Sequence, residues 1–330
     1  MTDPRADVPA TGVDPSLVAT AASTGEDLRR AEEEALAAEN ADVGRARSLN
    51  ADAWLELRGN WMFWLSAVLI AVFVVMAIVP QLFTSTDPRA VGPVRETPNG
   101  DAIFGRDMQG YDIYARTVYG ARASIVVGLV TTILTTSIGT AVGVFAAYRG
   151  GWVDALISRI TDVFFAIPLL LGGILFMSAF PSDQSSPYFV VVGKVVLVLT
   201  VLAWPSIARL MRGSVLQVLP NDYIQAARAL GAGPMRIITR HVIPNAMAPA
   251  LVVSAINLGV FIVAEASLSF LGIGLVPPAI SWGVAISDGL VAVRTYPHIL
   301  FFPAIFLSLC VFAFIMLGDA AQDAFDPKSR

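Results

Sequence analysis

Few residues in this sequence have the types and spacing that covalent or metal chemistry requires. The two histidines, His241 and His298, and the one cysteine, Cys310, are widely separated and make no protein-only metal site of the usual N/S kind. Cys310 stands inside an apolar run without a partner, so no disulfide closes within the chain, and its plain reading is a small packing residue. A loop that cradles nucleotide phosphates needs Gly-x-x-x-x-Gly-Lys followed by Ser or Thr. Only two lysines exist, and neither fits: Lys194 precedes Val195, and Lys328 follows Pro327. The chain therefore carries no ATPase site of its own and is expected to do no catalysis. What remains is a stretch suited to contact, PNDYIQAARALGAGPMRIITRHVIPN from Pro220 to Asn245.

That stretch punctuates itself. Asp222 followed by Gln225 reads as a capping box, and a short Ala-rich helix from Tyr223 to Leu230 follows. Gly231 suits the left-handed stop of that helix, and Gly233-Pro234 suits the start of a second one, which is expected to run to about Val242 and end ahead of Pro244. The small side chains of Ala226, Ala227, Ala229 and Ala232 would let this elbow enter a groove on another protein. Arg228 and Arg236 would fix its register. An amphipathic hairpin held by lipid headgroups is the alternative reading of the same arrangement.

Ionisable and aromatic residues within or beside apolar runs are the other candidates, because charge is costly there. Glu265 either lines a pathway or ties neighbouring helices together by hydrogen bonds. Asp162 is expected to pair with Arg159 or Arg209, and Lys194 to snorkel. After Pro277-Pro278, Ser281 can cap a short helix carrying Trp282, which either shapes an external gate or anchors in the aromatic belt at the lipid surface.

The elements that hold these residues are membrane spans. With 55% hydrophobic and 15% charged residues and a mean hydropathy of +0.67, a 330-residue chain exceeds what one soluble core can bury. An all-α polytopic membrane protein is expected, with six spans near 61–83, 123–148, 157–180, 188–209, 245–271 and 297–318. Pro168, Gly172 and Gly173 interrupt the third. Gly139, Gly143, Ala146 and Ala147 give the second a face for close helix packing. Residues 1–55 are acidic and polar with too few apolar residues to pack, and read as a disordered cytosolic tail. Residues 56–122 hold the first span and an external loop, and 123–325 the core with its elbow at 220–244. Arg209, Arg212, Arg228, Arg236 and Arg240 place the 209–241 loop in the cytosol, and both termini with it. The 84–122 loop must then lie outside despite Arg89, Arg95, Arg106, Arg116 and Arg122, and is expected to be a folded element.

At the elbow the chain resembles the permease subunits of ABC importers. Their shared signature, Glu-Ala-Ala, a Gly four residues on and a later apolar-apolar-Pro, is present as Gln225-Ala226-Ala227, Gly231 and Val242-Ile243-Pro244, with Gln for the leading Glu. The segments RITDVFFAIPLLL at 159–171, AEASLSFLGIGLVPPAISWG at 264–283 and LGDAAQDAFDP at 317–327 are similar to the C-type subunit of the dipeptide, oligopeptide and nickel permease group. The external stretch FGRDMQGYDIYARTVYGARASI at 104–125 is similar too, with Arg106 where Thr is usual and Tyr111 where Arg is usual.

This resemblance implies a type I importer transmembrane domain in a bacterial cytoplasmic membrane. Its elbow, Asp222 to Ala232, would be the coupling helix that docks on an ATPase. Asp107 and Tyr111 would border the external cavity. The implied partners are a second homologous permease, two ABC ATPase subunits that hold the ATP and Mg, an extracytoplasmic substrate-binding protein and membrane lipid, with no nucleic acid. The implied cargo is a di- or oligopeptide. Nickel, glutathione or another small solute is the alternative cargo, and a stand-alone secondary transporter is the alternative class.

Overall fold

The structure is a computed structural model that describes residues 49–183 and 185–325. Most of the expected tail, residues 1–48, lies outside the described residues. Its last part does not follow the expectation, because α1 (Leu49–Gly59) is already helical. The description below concerns the unit from Ala53 onward.

Asn60 breaks the chain between α1 and the first span. Its side chain accepts from the Met62 amide at 2.9 Å and starts α2 (Trp61–Ile78). Pro80 opens a 3₁₀ turn that closes this span five residues earlier than hydropathy suggested. The loop that follows is folded: Val91 pairs with Tyr111, Arg106 with Asp112, and Arg106 forms an ion pair with Glu96 at 2.8 Å.

The second span is much longer than the apolar run that marks it. α3 (Ile113–Arg149) has 37 residues, about 55 Å at helical rise, against a hydrocarbon core of about 30 Å. Asp112 caps it by accepting from the Ala115 amide at 2.8 Å, so the helix begins ten residues before the expected boundary. α3 packs along α6 (Tyr188–Val218), and small residues set that approach. A Cβ placed on Gly139 would lie 2.6 Å from Ile207 Cβ and 2.8 Å from the Trp204 carbonyl oxygen, and one on Gly143 would strike the Ala208 carbonyl.

Between these two helices the third apolar segment is a bent pair of helices. α4 (Gly151–Phe165) and α5 (Leu169–Ala179) are bent by 79° at Ala166–Pro168. Pro168 restricts Ile167 and supplies no amide to bridge the two helices, so the axis turns there. Lys194 donates to the carbonyls of Phe180 and Pro181 at 3.3 and 3.0 Å and so closes the α5–α6 turn, where the sequence suggested a snorkelling side chain.

After the elbow, described below, α10 (Ala248–Phe270) packs against α3 and α12 (His298–Phe325), with the short α11 (Trp282–Leu290) against α12. Ser281 caps α11 through the Val284 amide. Among the described residues, five helices can cross a membrane by length and composition, and six segments do so if the bent pair counts as one.

Candidate coupling elbow and buried cluster

The elbow grows directly from the end of α6. Helix α7 (Asp222–Ala229) is preceded by Asn221 in an extended conformation, φ −62° and ψ 145°. Asn221, not Asp222, is therefore the cap, and its carbonyl accepts from the amides of Ile224 and Gln225. The expected capping box is absent. Asp222 occupies the first helical turn, where a carboxylate favours the positive end of the helix, and Gln225 Nε2 donates to the Leu219 carbonyl at 3.2 Å.

Gly231 ends α7 at φ +80°. Its amide donates to Arg228 and the Ala232 amide donates to Ala227, the paired bonds of a Schellman stop. Gly233 then caps α8 (Pro234–Ile237), with Pro234 at the first position. Helix does not end ahead of Pro244. A π-helical turn, Ile238–Val242, leads into α9 (Ile243–Ala246), which contains Pro244. Pro244 has no amide to give to residue 240, and the widened turn absorbs that missing bond.

One side of the elbow is anchored. Ile224, Ile237 and Val242 are buried among Val144, Met211, Val215 and Ala250, which belong to α3, α6 and α10. The other side is open: Tyr223, Gln225, Ala226, Arg228, Ala229, Gly231 and Arg236 are exposed, and Leu230 shows 89% of its surface. Ala227 and Ala232 are half-buried.

Near the opposite end of α3 the candidates are interior. Asp107 is buried: Oδ1 accepts from the amides of Gln109 and Tyr111 at 2.9 and 2.8 Å, and Oδ2 from Arg116 Nη1 at 2.9 Å. The Arg116 guanidinium lies 4.7 Å from the Tyr111 ring centroid and 3.8 Å from Asp288 Oδ2. Burial pushes the Asp288 carboxyl above the usual range, with Arg116 pulling it down and Asp107 pushing it up. Asp288 was not singled out from the sequence, and Arg116 was named only as one of five arginines in the 84–122 loop.

Trp282 is fully buried, its Nε1 donating to the Thr117 carbonyl at 2.8 Å and its ring edge-on to Phe73. It is not a lipid-surface anchor in the aromatic belt, because no part of the ring reaches the surface. Glu265 is equally enclosed. Its two oxygens accept from Ser124 on α3 at 2.8 Å and from Ser269 on its own helix at 2.7 Å, and Ser269 accepts from the Leu275 amide. This is the geometry of a tie between helices, with no oxygen facing an open path.

Three of the five arginines that strained the orientation rule are also engaged. Arg106 pairs with Glu96, Arg116 with Asp107, and Arg122 donates to the Ala77 and Ile78 carbonyls at the end of α2. Asp162 takes Arg209 at 2.8 Å and Arg159 at 3.3 Å. The structure thus gathers the elbow residues into one surface, and gathers Asp107 with Tyr111. Glu265 and Trp282 lie apart from both groups, inside the helix packing.

Known proteins place this architecture. Residues 139–330 match the family model described as binding-protein-dependent transport system inner membrane component. Residues 48–98 match the N-terminal TM domain of oligopeptide transport permease C. The oligopeptide transport system permease protein OppC of Bacillus subtilis is 36% identical over 288 residues, 87% of this chain and 92% of that protein. The dipeptide permease DppC of the same organism is 36% identical over 86% of this chain and 87% of its own. The glutathione transport system permease GsiD of Escherichia coli is 33% identical over 84% and 90%. In fold, the chain is similar to a chain of the inward-facing MetNI methionine ABC transporter, with TM-score 0.50, 22% identity, and coverage of 64% of this chain and 96% of that one. The exposed elbow, the apolar helices and these matches lead to one conclusion: the chain belongs to the inner-membrane permease components of binding-protein-dependent ABC importers, in the C-type branch, with the type I transmembrane fold.

Proposed function

We propose that this subunit forms half of the pathway of a peptide importer and is driven by partner ATPases through the elbow at 220–244. ATP and Mg bind on two ATPase subunits, a second homologous permease completes the pathway, and an extracytoplasmic binding protein delivers the cargo. Both termini and the elbow face the cytosol, in keeping with the arginines from Arg209 to Arg240.

The observation that carries this reading is the two-sidedness of the elbow. Ile224, Ile237 and Val242 root it in a cluster shared by α3, α6 and α10, while Leu230 and Gly231 stand free at its tip. A push at the tip is delivered to three long helices at once. Such an element biases the pathway only if its partner holds it differently in the two states. Peptide cargo is supported by the oligopeptide and dipeptide relatives at 36% identity, and glutathione is the second reading, from the relative at 33%.

The test is Gly231→Asp. A Cβ there meets nothing within the chain, but φ +80° strains any residue other than Gly, so uptake is read per subunit present in the membrane. Uptake of a labelled oligopeptide should fall at least tenfold, because the aspartate would intrude where the partner sits. Unchanged uptake would sink the coupling role, and uptake lost for glutathione but never present for peptides would overturn the cargo.

A further inference from the structure

Helix α4 is built inside out. Two of its polar residues face the protein, since Asp154 is gripped by Arg212 with Nη2–Oδ2 at 2.6 Å and Thr161 is buried, while the half-exposed Asp162 is held by Arg209. Its apolar residues face outward. Trp152, Leu156, Ile160 and Val163 are 76%, 51%, 42% and 65% exposed, and their spacing of four, four and three places them on one stripe. In water this arrangement would be penalised at every one of these residues, so something apolar covers it.

We propose that this cover is a phospholipid surface, and that α4 lies in the plane of the membrane interface instead of completing the third span. Further observations favour lipid. The 79° bend at Ala166–Pro168 turns α4 away from α5, whose companion stretch of α6 is the apolar part up to Leu202. α4 meets α6 further on, at Trp204, Arg209 and Arg212, where the apolar run gives way to charge and the headgroup level begins.

The stripe also continues into an apolar groove of about 440 Å³, lined by Ala141, Val142, Phe145, Ile157, Ile160 and Trp204, which suits an acyl chain. Arg149 stands 5.9 Å over the Phe145 ring at the edge of that groove, and Arg159, its side chain 86% exposed, flanks the stripe. Arginines beside an apolar stripe suit phosphate headgroups, and an outward Trp152 suits the interface. The leaflet, the cytosolic one, rests on the orientation proposed above; the in-plane placement does not.

The assembled transporter, with Cys310→Ala to remove the native thiol, would carry a nitroxide at Trp152→Cys, Leu156→Cys or Val163→Cys. Each variant would be reconstituted in vesicles of phosphatidylglycerol and phosphatidylcholine, and collision with oxygen and with a water-soluble nickel chelate would read its depth. The three labels should share one shallow depth, within about one helical turn of 5.4 Å. A helix crossing the membrane would separate positions 152 and 163 by about 16 Å in depth, which would overturn the proposal. Labels shielded from both reagents would also overturn it, since a partner subunit would then cover the stripe. Ile160→Cys substitutes for any of the three that fails to assemble. Arg159→Cys, probed with a membrane-impermeant thiol reagent, reports the side separately: labelling from outside would break the orientation and leave the in-plane result standing.

Discussion

The two ends of α3 carry candidate residues of opposite character. Beside its C-terminal end the elbow turns Leu230, Tyr223, Arg228 and Arg236 outward and keeps only a few apolar anchors inside. Near its N-terminal end Glu265, Trp282 and Asp107 are turned inward and matched with Ser124, Thr117 and Arg116. Exposed side chains lose little within the chain when changed. Buried, matched ones act first through stability. The same helices therefore hold a closely packed end and an open elbow.

The sharpest challenge to the closely packed end is Trp282→Ala. Removing a fully buried indole and its hydrogen bond to Thr117 should cost about 3–5 kcal/mol, seen as a lowered unfolding midpoint of the purified complex and depleted subunit in membranes. Uptake should fall only as far as the amount of subunit does. Normal stability with uptake lost would make Trp282 a gate and dissolve the contrast between the two ends.

Glu265→Gln asks the same question with a smaller change. The glutamine keeps the shape but offers one acceptor in place of two, so the hydroxyl of Ser124 or Ser269 loses its acceptor and must turn to accept from the new amide. Interhelical hydrogen bonds in membranes are worth about 0.6–2 kcal/mol, and a loss in that range is expected in denaturant titration. A change in cargo preference at unchanged stability would instead put Glu265 on the pathway.

What the sequence made legible follows the same division. Local signals were read well where the backbone itself decides: Gly231 as a left-handed stop, Gly233-Pro234 as a restart and Ser281 as a cap. Adjacent cap formers misled, because Asn221 and Asp222 can both start a helix and only the chain direction out of Leu219 chooses between them. Hydropathy found the apolar segments but not their axes. The outward stripe of α4 scores like a span although the helix turns by 79°, since composition carries no direction. The burial of Trp282 depends on Thr117, 165 residues away, and no local pattern reports such a partner.

Leu230→Asp should have the smallest effect on the fold and, for that reason, discriminates best. Leu230 is 89% exposed, so exchanging it should move stability by no more than about 0.5 kcal/mol. The helix stop is left intact, because its bonds run through the backbone of Ala227, Arg228, Gly231 and Ala232. If the tip seats in an apolar groove on a partner, burying a carboxylate there is costly, and ATP-driven uptake should fall at least tenfold with the subunit at normal abundance. Co-purification of the ATPase with the permease should weaken in parallel. Uptake and co-purification both at wild-type levels would mean that an exposed leucine at the tip is only a solvated surface residue, and the elbow would then lose the coupling role that sets it apart from the buried end.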